Sequence, residues 1–159
     1  MTKIKLDEID HQILDLLIDN TRTAFTDIAK KLLISAGTVH VRVKKMEDTG
    51  IIKGSSLTLD YKMLGYNFIA YIGVLIDRSR RTYEIIEELR KKPYVTVAHI
   101  TTGKYNIFLK IRAKGTEHAR EIIFSIDDVE GVLRTETMIS LEESINDKKR
   151  LMKSIFNEL

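Results

Sequence analysis

Between residues 67 and 143 the apolar residues change their spacing in a set order, and that order leaves few folds open. "NFIAYIGVLID" (67–77) is β-branched and aromatic and reads as a strand, bounded by the charged "RSRR". "TYEIIEELRKK" (82–92) is an amphipathic helix ended by Pro93, the single proline of the chain. "YVTVAHITT" and "YNIFLKIRA" alternate as two strands with Gly103 between them. "TEHAREIIFSIDD" (116–128) is a second helix, and "GVLRTETMISLEE" (131–143) a fourth strand. The order β-α-β-β-α-β predicts a ferredoxin-like arrangement, an antiparallel sheet with two helices on one face.

The preceding residues have a different texture. "DEIDHQILDLLID" (7–19) places Ile9, Ile13, Leu16 and Leu17 at helical spacing, with acidic residues in the first turn where the helix dipole favours them. "FTDIAKKLL" (25–33) repeats the pattern with Ile28, Ala29 and Leu32 inward. Ser35 is the expected N-cap of a third helix running to about Thr49, and Gly50 its stop. "IIKGSSLTLD" (51–60) reads as a two-stranded hairpin, which completes the outline of a winged helix-turn-helix. The tail spaces Ile145, Leu151, Ile155 and Leu159 roughly helically. The expected α+β chain therefore divides into a winged helix-turn-helix at 1–60, a linker at 61–66, a ferredoxin-like domain at 67–143 and a C-terminal helix at 144–159.

At 43% hydrophobic and 31% charged residues, the composition is that of a folded chain. No apolar run is long enough to span a bilayer, and "MTKIKLDEIDHQ" lacks the core of a signal peptide, so no membrane partner is expected. Zero cysteines exclude disulfides and thiolate metal sites and fit a reducing cytoplasm, the expected location. Net charge is only +3, but its distribution is uneven. Residues 1–27 hold three basic and six acidic side chains, whereas residues 28–46 hold five basic ones (Lys30, Lys31, Arg42, Lys44, Lys45) and no acid. Phosphate backbones respond to such local patches.

With Val39, Val43 and Met46 as the buried stripe of the third helix, the opposite face carries Gly37, His40, Val41, Lys44 and Lys45, flanked by Thr38 and Arg42. Small residues at the near end admit a duplex, hydroxyl and imidazole groups reach base edges, and Lys or Arg anchors phosphates. An isolated basic helix is most often only a solvated face. This one is third in order, follows a second helix by a short turn and precedes a hairpin, a context that favours DNA. The candidate DNA-binding residues are Ser35, Gly37, Thr38, His40, Val41, Arg42, Lys44 and Lys45, and the expected partner is double-stranded DNA.

The segments "LDEIDHQILDLLIDNTRT" (6–23), "DIAKKLLIS" (27–35), "TVHVRVKKMEDTGIIKG" (38–54), "LGY" (64–66), "TTGKYNIFLKI" (101–111) and "GVLRTETMISLEE" (131–143) resemble, in order, the Lrp/AsnC family of transcription regulators. The resemblance implies homodimers, often assembled as octamers of four dimers, and an amino-acid effector bound between subunits. Two departures stand in the first domain. Leu33 occupies the turn where the family usually has Gly, and the turn is expected to shift slightly in conformation to avoid a strain of about 1 kcal/mol. Ala24 replaces the usual Ser at the start of the second helix, leaving Thr23 or Thr26 to cap it.

A third departure lies in "TTGKYN" (101–106), where the family's usual TG-x-Y-D carries an Asp able to pair with an α-ammonium and this chain has Asn106. An amide brings no charge, and charge-assisted bonds are roughly twice as strong as neutral ones. Either the ammonium is held elsewhere, or affinity is weak, or the ligand is not an ordinary amino acid; Lys104 is placed to draw a carboxylate. The same six residues also suit a plain hairpin turn. Candidate effector contacts are Thr101, Thr102, Gly103, Tyr105, Asn106, Thr135, Thr137 and Ser140. His11, His40, His99 and His118 show no metal-ligand spacing, and no catalytic constellation or phosphate-cradling loop is present, so neither an enzyme nor a cofactor is expected. Two readings stay open: a regulator modulated by a small effector, and an architectural DNA-wrapping protein without one.

Overall fold

The computed structural model describes residues 5–147 and 149–157. The described residues up to Thr58, joined by those from Ile145 onward, make one compact unit, and Leu59–Ser144 make the other.

The first unit is built on α1 (Glu8–Asp19), α2 (Phe25–Leu32) and α3 (Ala36–Asp48). Asp7 starts α1 with a capping box: its Oδ1 accepts from the Asp10 N–H at 2.9 Å, and Asp10 Oδ2 accepts from the Asp7 N–H at 3.2 Å. Ser35 caps α3 as expected, accepting from the Thr38 N–H at 3.0 Å. At its other end Gly50 takes a left-handed φ of 75°, and the Ile51 N–H closes onto the Met46 carbonyl at 2.9 Å. Ile13, Leu14, Ile28, Ala29, Val39, Val43 and Met46 form the core between the three helices.

Both departures in the first unit resolve differently from expectation. Leu33 does adopt the left-handed conformation, φ 56° and ψ 41°, as the only non-glycine residue at positive φ among those described. The turn keeps its shape and the side chain bears the strain, because the Ile34 N–H must reach the Ala29 carbonyl (3.1 Å) while Ile34 packs on the core. Neither threonine caps α2. Its N-cap is Ala24 with no side-chain bond, the Thr23 hydroxyl donates to the Asn20 carbonyl at 2.8 Å, and Thr26 lies inside the helix.

The hairpin expected at 51–60 is also absent: no strand forms there, and every residue from 53 to 60 is exposed. A lone two-stranded ribbon is marginal in water, and Leu57 and Leu59, the alternating apolar residues of this stretch, stay exposed. The C-terminal helix, α6, begins only at Arg150 and runs to Asn157. Ile145, Leu151 and Ile155 are exposed, and Leu159 lies outside the described residues. Met152 instead packs on the three-helix core, and the Lys149 ammonium bridges Asp15 (3.3 Å) and Asp19 of α1.

In the second unit β1 (Phe68–Ile76), β2 (Val95–Ile100), β3 (Ile107–Ala113) and β4 (Val132–Ile139) form an antiparallel sheet in the order β2-β3-β1-β4. A short 3-10 turn (Ser79–Arg81) leads into α4 (Thr82–Arg90), and α5 (Thr116–Asp127) follows β3. Ile85 and Leu89 of α4 and Ala119, Ile122 and Ile126 of α5 bury one sheet face, made of Ala70, Ile72, Val74, Ile107, Leu109 and Ile111. This is the ferredoxin-like order anticipated from the pattern. Strand alternation sends Tyr71, Gly73, Phe108, Lys110 and Glu136 to the other, helix-free face.

Relieving the αL strain provides a direct check. Leu33 is 93% exposed, so Leu33→Asn loses no packing and is expected to stabilise the chain by about 1 kcal/mol. Chemical denaturation measures it; an unchanged midpoint would show that Leu33 sits in this conformation without cost.

Candidate DNA interface and effector segment

The outward face of α3 lines an open groove of about 830 Å³ together with the start of α1 and the residues before it: Lys5, Leu6, Asp7 and Asp10 on one side, and Ser35, Gly37, Thr38, Val41, Arg42 and Lys45 on the other. The eight residues expected to meet DNA divide into four groups. Gly37, Thr38, Val41, Lys44 and Lys45 are exposed and lie farthest from the buried stripe. His40 is exposed at one side, with its ring edge against Phe25 of α2 (6.1 Å, 68°). Ser35 is engaged as the cap, its hydroxyl also 2.8 Å from that of Thr38.

Arg42 is the correction. Its Nη1 donates to Asp7 Oδ2 at 2.7 Å and to Asp10 Oδ1 at 2.8 Å, so it braces α3 against α1 instead of standing free for phosphate. The Asp10 N–H, and after it Arg42, hold the Asp7 carboxyl below its usual pKa, and Arg42 pairs with both aspartates beside the groove. Lys44 pairs with Asp48 one turn on (2.8 Å); both side chains are well exposed, and such pairs contribute little and exchange readily. Lys5, on the opposite rim, escaped the sequence reading because it precedes the helices; its signal was a cation two residues before a helix cap.

The effector candidates do not gather in one place. Thr101, Thr102, Gly103, Tyr105 and Asn106 form the turn between β2 and β3. Thr135 and Thr137 alternate onto the helix-covered face: the Thr135 hydroxyl donates to Asp127 at 2.8 Å, and Thr137 lines a shallow apolar groove with Ile123 and Phe124. Ser140 donates its N–H to the Ile69 carbonyl, at the far end of β1 and about 17 Å from the turn at strand rise. Grouping by hydroxyl content ignored the pleat, which separates these side chains.

Asn106 is a framework residue. Its Oδ1 accepts from the Ile76 N–H (3.1 Å), its own N–H donates to Val74 (3.0 Å) and its carbonyl accepts from Thr101 (3.0 Å). The negative charge near the turn is Glu136 on β4, which sequence reasoning missed. Glu136 Oε2 accepts from Lys104 Nζ and from the Tyr105 hydroxyl, each at 2.6 Å, and Arg134 lies 3.2 Å from Oε1. Chiefly through Lys104, and next through Tyr105, its pKa is held below the ordinary value. Gly73, opposite Glu136 in register, makes room: a Cβ there would fall 2.5 Å from the Tyr105 ring. A glycine inside an otherwise apolar strand was the signal available, since it often marks a close approach.

Among the described residues no cluster of His, Asp and Glu is arranged to hold a metal, and no helix is long and apolar enough to cross a membrane.

Residues 6–53 match the family described as winged helix-turn-helix DNA-binding, and residues 69–149 the Lrp/AsnC ligand binding domain. The regulatory protein AsnC of Escherichia coli K12 is 34% identical over 146 residues, 91% of this chain and 96% of that protein. An uncharacterized HTH-type transcriptional regulator of Pyrococcus furiosus is 34% identical over 139 residues, 87% of this chain and 93% of its own length. The solved structure of E. coli AsnC superposes with a TM-score of 0.86 at 32% identity, covering 91% of this chain and 97% of that one. A Neisseria meningitidis transcriptional regulator, solved as a complex with L-Met, shares the fold with a TM-score of 0.85 at 22% identity, over 91% of this chain and 95% of that one. A DNA-binding helix-turn-helix followed by a ligand-binding domain, matched in order along most of the chain, places this protein in the Lrp/AsnC family of transcription regulators, not among enzymes.

Proposed function

We propose that this regulator reads DNA with the outward face of α3 and that a small zwitterion, an amino acid, modulates that binding or the assembly of the protein. The observation that carries the DNA reading is the division of labour on α3: Val39, Val43 and Met46 are buried, Arg42 is tied to α1, and Gly37, Thr38, Val41, Lys44 and Lys45 are left to face a duplex. The N-terminal N–H groups and dipole of α3 add attraction for phosphate. Homodimers fit this reading, since the helix-free sheet face carries Tyr71 stacked on Phe108 (5.9 Å, 15°) beside exposed Val97 and Met138. A two-fold dimer presents two such helices to half-sites one turn apart, and the exposed Leu133, Ile139 and Leu141 offer a second surface suited to an octamer of four dimers.

For the effector, the Lys104–Glu136 ion pair is the feature with matching chemistry. An α-amino acid carries both of its charges, so its ammonium replaces Lys104 on Glu136 while the released Lys104 meets its carboxylate. Tyr105, held over Gly73, positions the acceptor. The Neisseria regulator's complex with L-Met is consistent with a ligand of this class. The architectural alternative uses the same α3 face and lacks only this response.

Lys44→Ala with Lys45→Ala is expected to reduce the slope of log K against log salt by about 2 per helix, one for each phosphate no longer neutralised. An unchanged slope in gel-shift titrations would move the interface elsewhere. At Gly37 a Cβ would meet only Ser35 Oγ, at 3.7 Å. Gly37→Ala should therefore stabilise α3 by roughly 0.5–1 kcal/mol while weakening DNA binding; a gain in both would put Gly37 outside the interface. A screen of the twenty amino acids should find one that shifts operator affinity or oligomer mass, a shift that Glu136→Gln abolishes without loss of DNA binding. If none shifts either quantity, the architectural reading replaces this one.

A further inference from the structure

We propose that Val41 reads the methyl group of a thymine in the major groove, which sets an A·T pair at one fixed position of each half-site. The inference rests on the reading of α3 as the recognition helix and specifies what that helix recognises. At about 100° per residue, Val41 lies within roughly 20° of the direction opposite the mean of Val39, Val43 and Met46. Only Asp48, the last residue of the helix and the partner of Lys44, lies closer to that direction, and Val41 is 67% exposed. One turn before it stand Gly37 and Thr38, too small to hold a duplex away; just beyond it stand Lys44 and Lys45, with Lys5 across the groove. An isopropyl group is thus framed by cations, a surface complementary to a polyanion with an apolar point at its centre.

Among the described residues no packing in either core accounts for Val at this position. It belongs to neither core cluster, and a β-branched residue on the solvent side of a helix lowers helix propensity relative to Ala or Lys. Its side chain neither donates nor accepts a hydrogen bond. In the major groove the thymine C5-methyl is the one apolar feature a base pair presents; a G·C pair at the same place would put the polar edges of guanine or the cytosine amino group against Val41 without a partner.

The test starts from an operator selected out of a random duplex pool. Each thymine of a half-site is then replaced in turn by deoxyuridine, which keeps base pairing and removes only the methyl. The wild-type protein should lose about fourfold in affinity at one position per half-site, the effect of burying a single methyl. Val41→Ala should bind thymine and uracil equally there, keep its preferences elsewhere, and melt no lower than wild type, Ala being the better helix former. If Val41→Ala keeps the uracil penalty, or the wild type shows no uracil-sensitive position, the assignment of Val41 is overturned while sequence-specific binding stands. If selection yields no preferred sequence, the reading of α3 and the assignment of Val41 fall together.

Discussion

The guanidinium of Arg42, held between Asp7 and Asp10, governs how the DNA-binding unit presents itself. The same two carboxylates form the capping box of α1, so one pair of acids both begins the first helix and fixes the third against it. Asp10 is 7% exposed, and a carboxylate so placed is costly without its counter-ion. The clasp therefore ties the orientation of α3 to the start of α1. It also offsets one of the two negative charges beside a groove that meets phosphate. Arg42 sets the position of α3 while its guanidinium is engaged by α1 and the residue that caps it.

The large-scale order of the chain was legible because it rests on periodicity. The alternation of strands and helices after residue 67, and Ser35 and Gly50 as the limits of α3, depend on local chemistry that survives folding unchanged. What was not legible depends on partners distant in sequence. Arg42 read as a free cation because its acids lie over thirty positions away. The segment 51–60 read as a hairpin because its residues favour extended backbone, yet propensity makes no ladder where Leu57 and Leu59 stay exposed. Leu33 shows the opposite balance, where tertiary demand on Ile34 overrides an unfavourable conformation at the preceding residue.

The effector segment gives the same lesson at finer scale. Hydroxyls close together in sequence were grouped, but β4 sends Thr135 and Thr137 to one face and Glu136 to the other. The charge missing from position 106 is supplied nearby by a strand residue in register with a glycine, and Asn106 is free to serve as the hinge pin of the turn. Registers across the sheet, not neighbours along the chain, determine which groups share this corner.

The attachment of Met152 and Lys149 to the helices at the other end of the sequence alters the topology of the whole protein. Because the chain leaves the DNA-binding unit after Thr58 and returns to it at Ile145, the ligand-binding unit is an insertion within that unit, not an appendage at its end. An appendage can swing on a single tether without the body it hangs from registering the motion. An insertion has two anchor points in its host, here the stretch before Leu59 and the stretch after Ser144. The stretch after Ser144 is thus the second of two passages of chain that join the units.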